Sequence, residues 1–187
     1  MARPREFDLD AAVERAMRLF WSRGYAATSV RDLCTAMKIT SGSFYAAFGD
    51  KAGCFQLALA RYVTTQPVPR EPAPDAIRRW FDVICDPART PRGCLVVASA
   101  VDAPLLDRRS REAVQATLAA VEAFFASCLA RRSPQVARGD AALLAAAVTA
   151  IHVQARAGAP PPVLRRIADR ALAATGLAGG AVTPGQV

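Results

Sequence analysis

The side chains able to do chemistry in this chain are few and scattered. His152 is the one histidine in 187 residues, and the five cysteines are Cys34, Cys54, Cys85, Cys94 and Cys128. No two of them form a C-x-x-C pair, so the spacing carries no zinc signature. The carboxylates are scattered, and there is no nucleophile motif and no phosphate-binding glycine loop. The chain is therefore expected not to be an enzyme, and to use no cofactor or metal. Cys94 is the one thiol whose neighbours suggest reactivity. Arg92 stands nearby and an apolar helix is expected to begin there, and both a cation and a helix N-terminus favour the thiolate. Cys85, Cys94 and Cys128 would make a soft-metal site only if the fold brought them together. His152 lies among apolar neighbours and reads as a core residue.

The stretch from Thr28 to Lys51, TSVRDLCTAMKITSGSFYAAFGDK, offers another chemistry, the reading of DNA. Thr28 precedes a helical pattern in which Val30, Leu33 and Met37 share a face, so its hydroxyl is the expected N-cap. A turn is predicted at Lys38-Ile39. Thr40 then caps a short helix, Ser41–Phe48, with Phe44 and Phe48 on its buried face. The visible residues are Ser41, Gly42, Ser43, Tyr45, Ala46 and Ala47. So little bulk suits a helix that enters the major groove. Ser41, Ser43 and the backbone at Gly42 are candidates for base reading, and Ala46 and Ala47 for contact with thymine methyls.

From Phe7 to about Tyr62 the chain resembles the helix-turn-helix of TetR-type transcriptional regulators. The likeness rests on A-x-x-L-F-x-x-x-G-Y (Ala16, Leu19, Phe20, Gly24, Tyr25), on T-S-V-R-D-L (Thr28 to Leu33) and on S-x-Y-x-x-F-x-x-K (Ser43, Tyr45, Phe48, Lys51). It implies phosphate contacts from Tyr45 and Lys51, with Thr28 and Arg31 as further contacts. It also implies a homodimer on near-palindromic double-stranded DNA, released by a small-molecule effector. The stretch P-R-G-C-L-V-V around Cys94 resembles a subset of the same family, some of which respond to electrophiles, oxidants or copper. A thiol- or copper-responsive regulator with Cys94 as the switch is therefore the alternative reading. Several positions depart from the family pattern: Lys38 replaces Gly at the turn, Cys34 replaces Ala, Cys54 replaces Leu, and Ser41 and Ala46 replace longer polar residues.

The elements that position these residues are predicted to be all helical. Asp8 caps a first helix, Leu9–Arg23, which Gly24 ends, and Asp50 caps another, Lys51–Thr65. Residues 66–74 hold four prolines and stop any helix. Further helices are expected at Asp75–Cys85, Gly93–Ala103, Asp107–Arg132, Asp140–Ala157 and Val163–Ala174. The expected architecture is all-α: a three-helix DNA-binding domain over 1–66, a Pro-rich connector over 67–74, a helical effector-binding and dimerisation domain over 75–176, and a disordered tail over 177–187. The last two helices are apolar enough to pair with their copies in a second chain. The effector pocket is expected among Trp80, Phe81, Cys85, Cys94, Val97, Val101, Val121, Phe125 and Cys128. With no fixed charge among them, an apolar or aromatic effector is expected.

Composition permits this reading without selecting it. The net charge is +8 and 52% of residues are hydrophobic. Residues 1–66 hold nine Lys or Arg against six Asp or Glu, a net +3, and the rest hold a net +5. The excess charge is thus not concentrated in the DNA-binding part. Arg3 and Arg5 form a basic arm able to reach a minor groove or phosphates. The charged N-terminus and odd cysteine count suggest reduced thiols and a cytoplasmic protein. The run 141–153 is expected to be buried and too short to cross a membrane.

Overall fold

The structure is a computed structural model that describes residues 7–73, 75–89 and 93–177. Among them there is no strand. The helices are α1 (Leu9–Arg23), α2 (Val30–Met37), α3 (Ser41–Phe48), α4 (Lys51–Thr65), α5 (Ala76–Ile84), α6 (Leu95–Val101), α7 (Arg108–Cys128), α8 (Pro134–Arg156) and α9 (Pro161–Ala174). A 3-10 turn at Ala103–Leu105 follows α6. The arm with Arg3 and Arg5, Arg92, and the tail beyond Leu177 lie outside the described residues.

The packing forms two units that cut across the expected domains. The first gathers residues 1–67 with 92–120, and the second gathers 68–91 with 121–187. In the first unit, α1 packs on α2 and α4 through Ala12, Val13, Ala16, Met17 and Phe20, at the helical spacing of its apolar stripe. Phe20, Tyr25 and Phe55 meet edge or face, with centroids 5.0–6.0 Å apart. Leu95, Val96, Leu106 and Val114 join this same core, which is why 92–120 belongs with the helix-turn-helix. Three polar ties secure it. Trp21 Nε1 donates to the Gly93 carbonyl at 3.0 Å. Asp102 Oδ2 accepts from the backbone N–H of Tyr25 (2.9 Å) and Ala26 (3.2 Å). Gln56 Nε2 donates to Ser110 Oγ at 3.4 Å.

In the second unit, Ile77, Trp80, Phe81 and Ile84 of α5 pack with Phe125 and Leu129, with Leu144 and Ile151 of α8, and with Leu164 and Leu172 of α9. Arg165 of α9 pairs with Asp82 of α5 at 2.5 Å, and Arg132 pairs with Asp140.

Several helix limits differ from those expected. The cap of α2 is Ser29, one residue beyond Thr28. The helix α6 spans only Leu95–Val101, because the chain tightens into the 3-10 turn around Pro104. The helix α7 ends at Cys128, four residues early. The helix α8 begins at Pro134, where a loop was expected through Gly139. Proline is accommodated in a first turn, and Gly139 is carried inside the helix at a cost of about 1 kcal/mol relative to Ala. The last helix begins at Pro161 for the same reason. Leu57 of α4 is exposed.

Candidate nucleic-acid interface

The start of α2 is fixed by a capping box. Ser29 Oγ accepts from Asp32 N–H at 3.1 Å, and Asp32 Oδ2 accepts from Ser29 N–H at 3.0 Å. The Ser29 hydroxyl also donates to Asp32 Oδ2 at 2.5 Å, and this bond, with the one from Ser29 N–H, holds the Asp32 carboxyl below its usual range. The pattern S-x-x-D at 29–32 was readable in the sequence. Thr28 is buried, and its hydroxyl donates to the Gly24 carbonyl at 2.7 Å. It therefore secures the turn between α1 and α2 from inside. Arg31, one residue into α2, is exposed.

The turn between α2 and α3 closes on Lys38, at φ 60° and ψ 46°. It is the one non-glycine residue with positive φ among those described. Lys38 N–H donates to the Thr35 carbonyl, and Ile39 N–H to the Cys34 carbonyl, which terminates the helix as a glycine would. Arg15 of α1, which sequence reasoning did not single out, donates to the Met37 carbonyl at 3.0 Å and satisfies another end group.

Thr40 caps α3 as expected, accepting from Ser43 N–H at 3.1 Å; its hydroxyl also lies 3.0 Å from Ser43 Oγ. Phe44 and Phe48 face the core, while Ser41, Gly42, Tyr45 and Ala46 face outward, and Ser43 and Ala47 are half-buried. Tyr45 is 53% exposed and meets Phe44 edge-on at 5.5 Å. A Cβ on Gly42 would meet only Thr40 Oγ1, at 3.9 Å, so nothing within the fold requires glycine there. Gly53 is the opposite case. A Cβ on it would fall 2.2 Å from the Phe48 carbonyl oxygen, so glycine is what lets α4 approach the end of α3. Lys51 is half-buried, with its ammonium 4.1 Å from the centre of the Tyr25 ring. Burial lowers its pKa, while the Asp102 charge raises it.

The nine expected pocket residues fall into two groups. Trp80, Phe81, Cys85 and Phe125 lie in the core of the second unit, with Val121 and Cys128 packed against it. Cys94, Val97 and Val101 belong to the first unit, where Val101 is 78% exposed. No group of three or more His, Cys, Asp or Glu able to hold a metal occurs among the described residues, which removes the suggested three-cysteine site.

Cys94 also departs from expectation. It sits at the N-cap of α6, yet burial pushes its thiol up, against opposing hydrogen bonds from Tyr62 and the backbone N–H groups of Val97 and Val96. Desolvation outweighs the helix terminus because the charged form loses its water. Burial likewise pushes Cys54 up to about 12 and Cys85 to about 11.

These features define a helix-turn-helix: two short helices with capped starts, a left-handed turn between them, and a second helix with a small-residue outer face, all braced by α1 and α4. Residues 12–58 match the profile of bacterial regulatory proteins, tetR family. A cysteine mutant of the TetR family transcriptional regulator CifR, solved with 26-bp double-strand operator DNA, superposes with a TM-score of 0.79 at 32% identity. That alignment covers 92% of this chain and 99% of the other. The chain belongs to the TetR family. It is also 48% identical over 61 residues to the HTH-type transcriptional repressor ComR of Escherichia coli K12, across 33% of this chain and 29% of that one. It is 42% identical over 67 residues to the repressor BdcR of the same strain, across 36% and 34%. The match thus spans about a third of the length of either curated repressor.

Proposed function

We propose that the protein is a homodimeric, cytoplasmic repressor that binds a near-palindromic DNA operator and leaves it when a small molecule occupies the body. The observation that carries this reading is the outer face of α3, where Ser41, Gly42, Tyr45 and Ala46 stand exposed on a helix whose start is capped. Operator binding by CifR supports the same reading. On this view Ser41, Ser43 and the backbone at Gly42 read base edges, and Ala46 and Ala47 meet thymine methyls. Tyr45, Lys51 and Arg31 hold phosphates, and the buried Thr28 positions α2. Lys51 would leave the Tyr25 ring, giving up about 0.5–1 kcal/mol of cation–π attraction for a charge-assisted bond.

The outer face of α8 supports the dimer. Val136, Leu143 and Val153 are exposed there, together with Ala142, Ala146 and Ala150. The helix has 23 residues, and its most apolar window has a mean hydropathy of 1.4 with 33% of that window buried. By length and composition it would suffice to cross a membrane, so it is longer than the run read from the sequence suggested. We assign its outer face to a second copy, because its inner face is already committed to α5 and α9. The raised Cys94 thiol weighs against the thiol-switch alternative and favours release by a non-covalent effector.

A gel shift on DNA upstream of the protein's own gene tests the proposal, at several salt concentrations, with and without candidate effectors, oxidant and copper. A salt-dependent shift by a dimer is expected. No shift on any such fragment, together with a monomer in sedimentation, would overturn it. Release by oxidant or copper that is lost with Cys94→Ser would restore the alternative.

A further inference from the structure

Most of the described arginines in the first unit have a partner. Arg15 donates to the Met37 carbonyl at 3.0 Å. Arg18 and Arg61 share Glu14, Arg23 pairs with Asp32 at 3.4 Å, and Arg108 pairs with Glu112 at 3.4 Å. The described arginines of this unit with neither a hydrogen bond nor an ion pair are Arg31, Arg109 and Arg111. All three are exposed. Arg31 already stands in the proposed DNA interface. Arg109 and Arg111 lie in the first turn of α7, outside the helix-turn-helix.

The start of α7 is bound to the start of α4, where Lys51 stands. Ser110, between the two free arginines, has its hydroxyl oxygen 3.4 Å from Gln56 Nε2. Gln56 follows Lys51 by about 7.5 Å along the helix axis. The chain just before α7 is held at the same place. Asp102 Oδ2 accepts from the N–H groups of Tyr25 and Ala26, and the Lys51 ammonium lies 4.1 Å from the centre of the Tyr25 ring. Burial raises the Tyr25 pKa, and the charges of Asp107 and of Asp50, the cap of α4, raise it further, so both carboxylates lie near that one side chain. The neighbouring acids are engaged elsewhere. Asp107 Oδ1 accepts from Ser110 N–H at 3.2 Å, Asp102 is taken up by its two backbone donors, and Glu112 faces Arg108. Arg109 and Arg111 are left without an ion-pair partner among the described residues.

We infer that Arg109 and Arg111 hold DNA backbone phosphates beside those held by Lys51, so that the first turn of α7 is part of the DNA-binding surface. The chemistry of the two side chains selects this ligand. A guanidinium only donates, and its planar fork matches two oxygens of one phosphate. A duplex presents phosphates in an unbroken row, so neighbouring arginines on one anchored turn can each find one, and the counterions they displace favour binding. Backbone contacts carry no base information. Those of α7 add affinity for any duplex and help fix the register in which α3 meets the bases. This rests on the proposed reading of α3 and Lys51 as DNA contacts, and it extends that surface beyond the helix-turn-helix.

The test is the salt dependence of DNA affinity for the full-length chain, read by fluorescence anisotropy on duplexes from upstream of its own gene. Each phosphate contact contributes about 0.9 to the slope of log affinity against log salt. On the proposed dimer every substitution acts twice. Arg109→Gln and Arg111→Gln should therefore each lower the slope by about 1.8 and weaken binding by about tenfold or more near 0.1 M salt. Operator and non-operator DNA should lose alike. Arg131→Gln removes the same charge from an exposed position in the second unit and should leave the slope nearly unchanged. Arg109→Lys and Arg111→Lys should keep most of the slope, since they lose the fork but not the charge. Melting by circular dichroism should stay the same, because neither arginine has a partner to lose. Should a variant fail to fold, the unaltered protein still decides: bound operator should protect Arg109 and Arg111, but not Arg131, from phenylglyoxal, as read by mass spectrometry. An unchanged slope in either glutamine variant, an equal fall with Arg131→Gln, or Arg109 and Arg111 left open to phenylglyoxal overturns the inference and leaves the DNA-binding reading intact. No DNA binding by the unaltered protein overturns both.

Discussion

Lys38 is the residue whose type most opposes its conformation. A side chain held at φ 60° costs on the order of 1 kcal/mol relative to glycine. Lys38→Gly is therefore expected to raise the unfolding free energy by up to about 1 kcal/mol in urea titrations, reduced by glycine's greater freedom in the unfolded chain. Tyr45 tests the interface directly, because its exposed ring has little to lose in folding. Tyr45→Ala should leave the melting temperature nearly unchanged while weakening operator and non-operator DNA alike, by about 1 kcal/mol for one lost phosphate hydrogen bond. Normal binding by this variant in a gel shift would refute the role given to Tyr45. His152 supplies a third expectation. Its folded pKa, about 4, lies below the unfolded value of 6.5. The unfolded chain thus takes up the proton first, and stability falls as pH drops from about 6.5 toward 4, by roughly 3 kcal/mol in all. Denaturant midpoints measured across that range should show a decline that His152→Leu removes.

At the scale of the element, α6 is short but tied at both ends. Trp21 bonds to Gly93 just before it, and Asp102 just after it receives the Tyr25 and Ala26 N–H groups. The second tie is made by a carboxylate to the backbone of the turn that leads into α2. Asp102→Ala is expected to destabilise the first unit by about 1.5–3 kcal/mol, because it removes charge-assisted bonds and leaves two backbone donors to find water. The melting temperature should fall, and amide exchange at Tyr25 and Ala26 should rise before that of the Phe20 and Phe55 core. Unchanged exchange at these two amides would show that the bonds carry little. No local pattern marks Asp102, since its partners lie 76 and 77 residues away along the chain.

At the scale of the whole molecule, the prediction concerns assembly. A helix that keeps Leu143 at 45% exposure and Val153 at 49% has apolar area left to bury. On the proposed homodimer, Leu143→Glu should yield a monomer in sedimentation and abolish tight operator binding while leaving α3 folded, because that reading needs two recognition helices held together to engage two half-sites. A Leu143→Glu dimer with full operator affinity would place the interface elsewhere.

The sequence by itself determined the local structure of the DNA-reading segment. The limits of α1, α3 and α4, the caps at Asp8, Thr40 and Asp50, and the left-handed turn at Lys38 are all set by residues within a few positions of one another, so propensity and capping suffice to predict them. The outward face of α3 follows from the same short-range rules once Phe44 and Phe48 define the inward one. The start of α8 was missed because Gly139 signals a break locally, while packing of Ala137 and Ala141 outweighs it. Tertiary structure alone decided the rest. Residues 92–120 joined the first unit because Leu95, Val96, Leu106 and Val114 found the Phe20 and Phe55 core. The Cys94 thiol is pushed up although it stands at a helix N-cap, because burial, which depends on distant chain, sets the cost of its charge. Arg109 and Arg111 came to stand beside α4 only through the long-range bond between Gln56 and Ser110. Burial and long-range pairing are properties of the packed chain, and no window of sequence contains them.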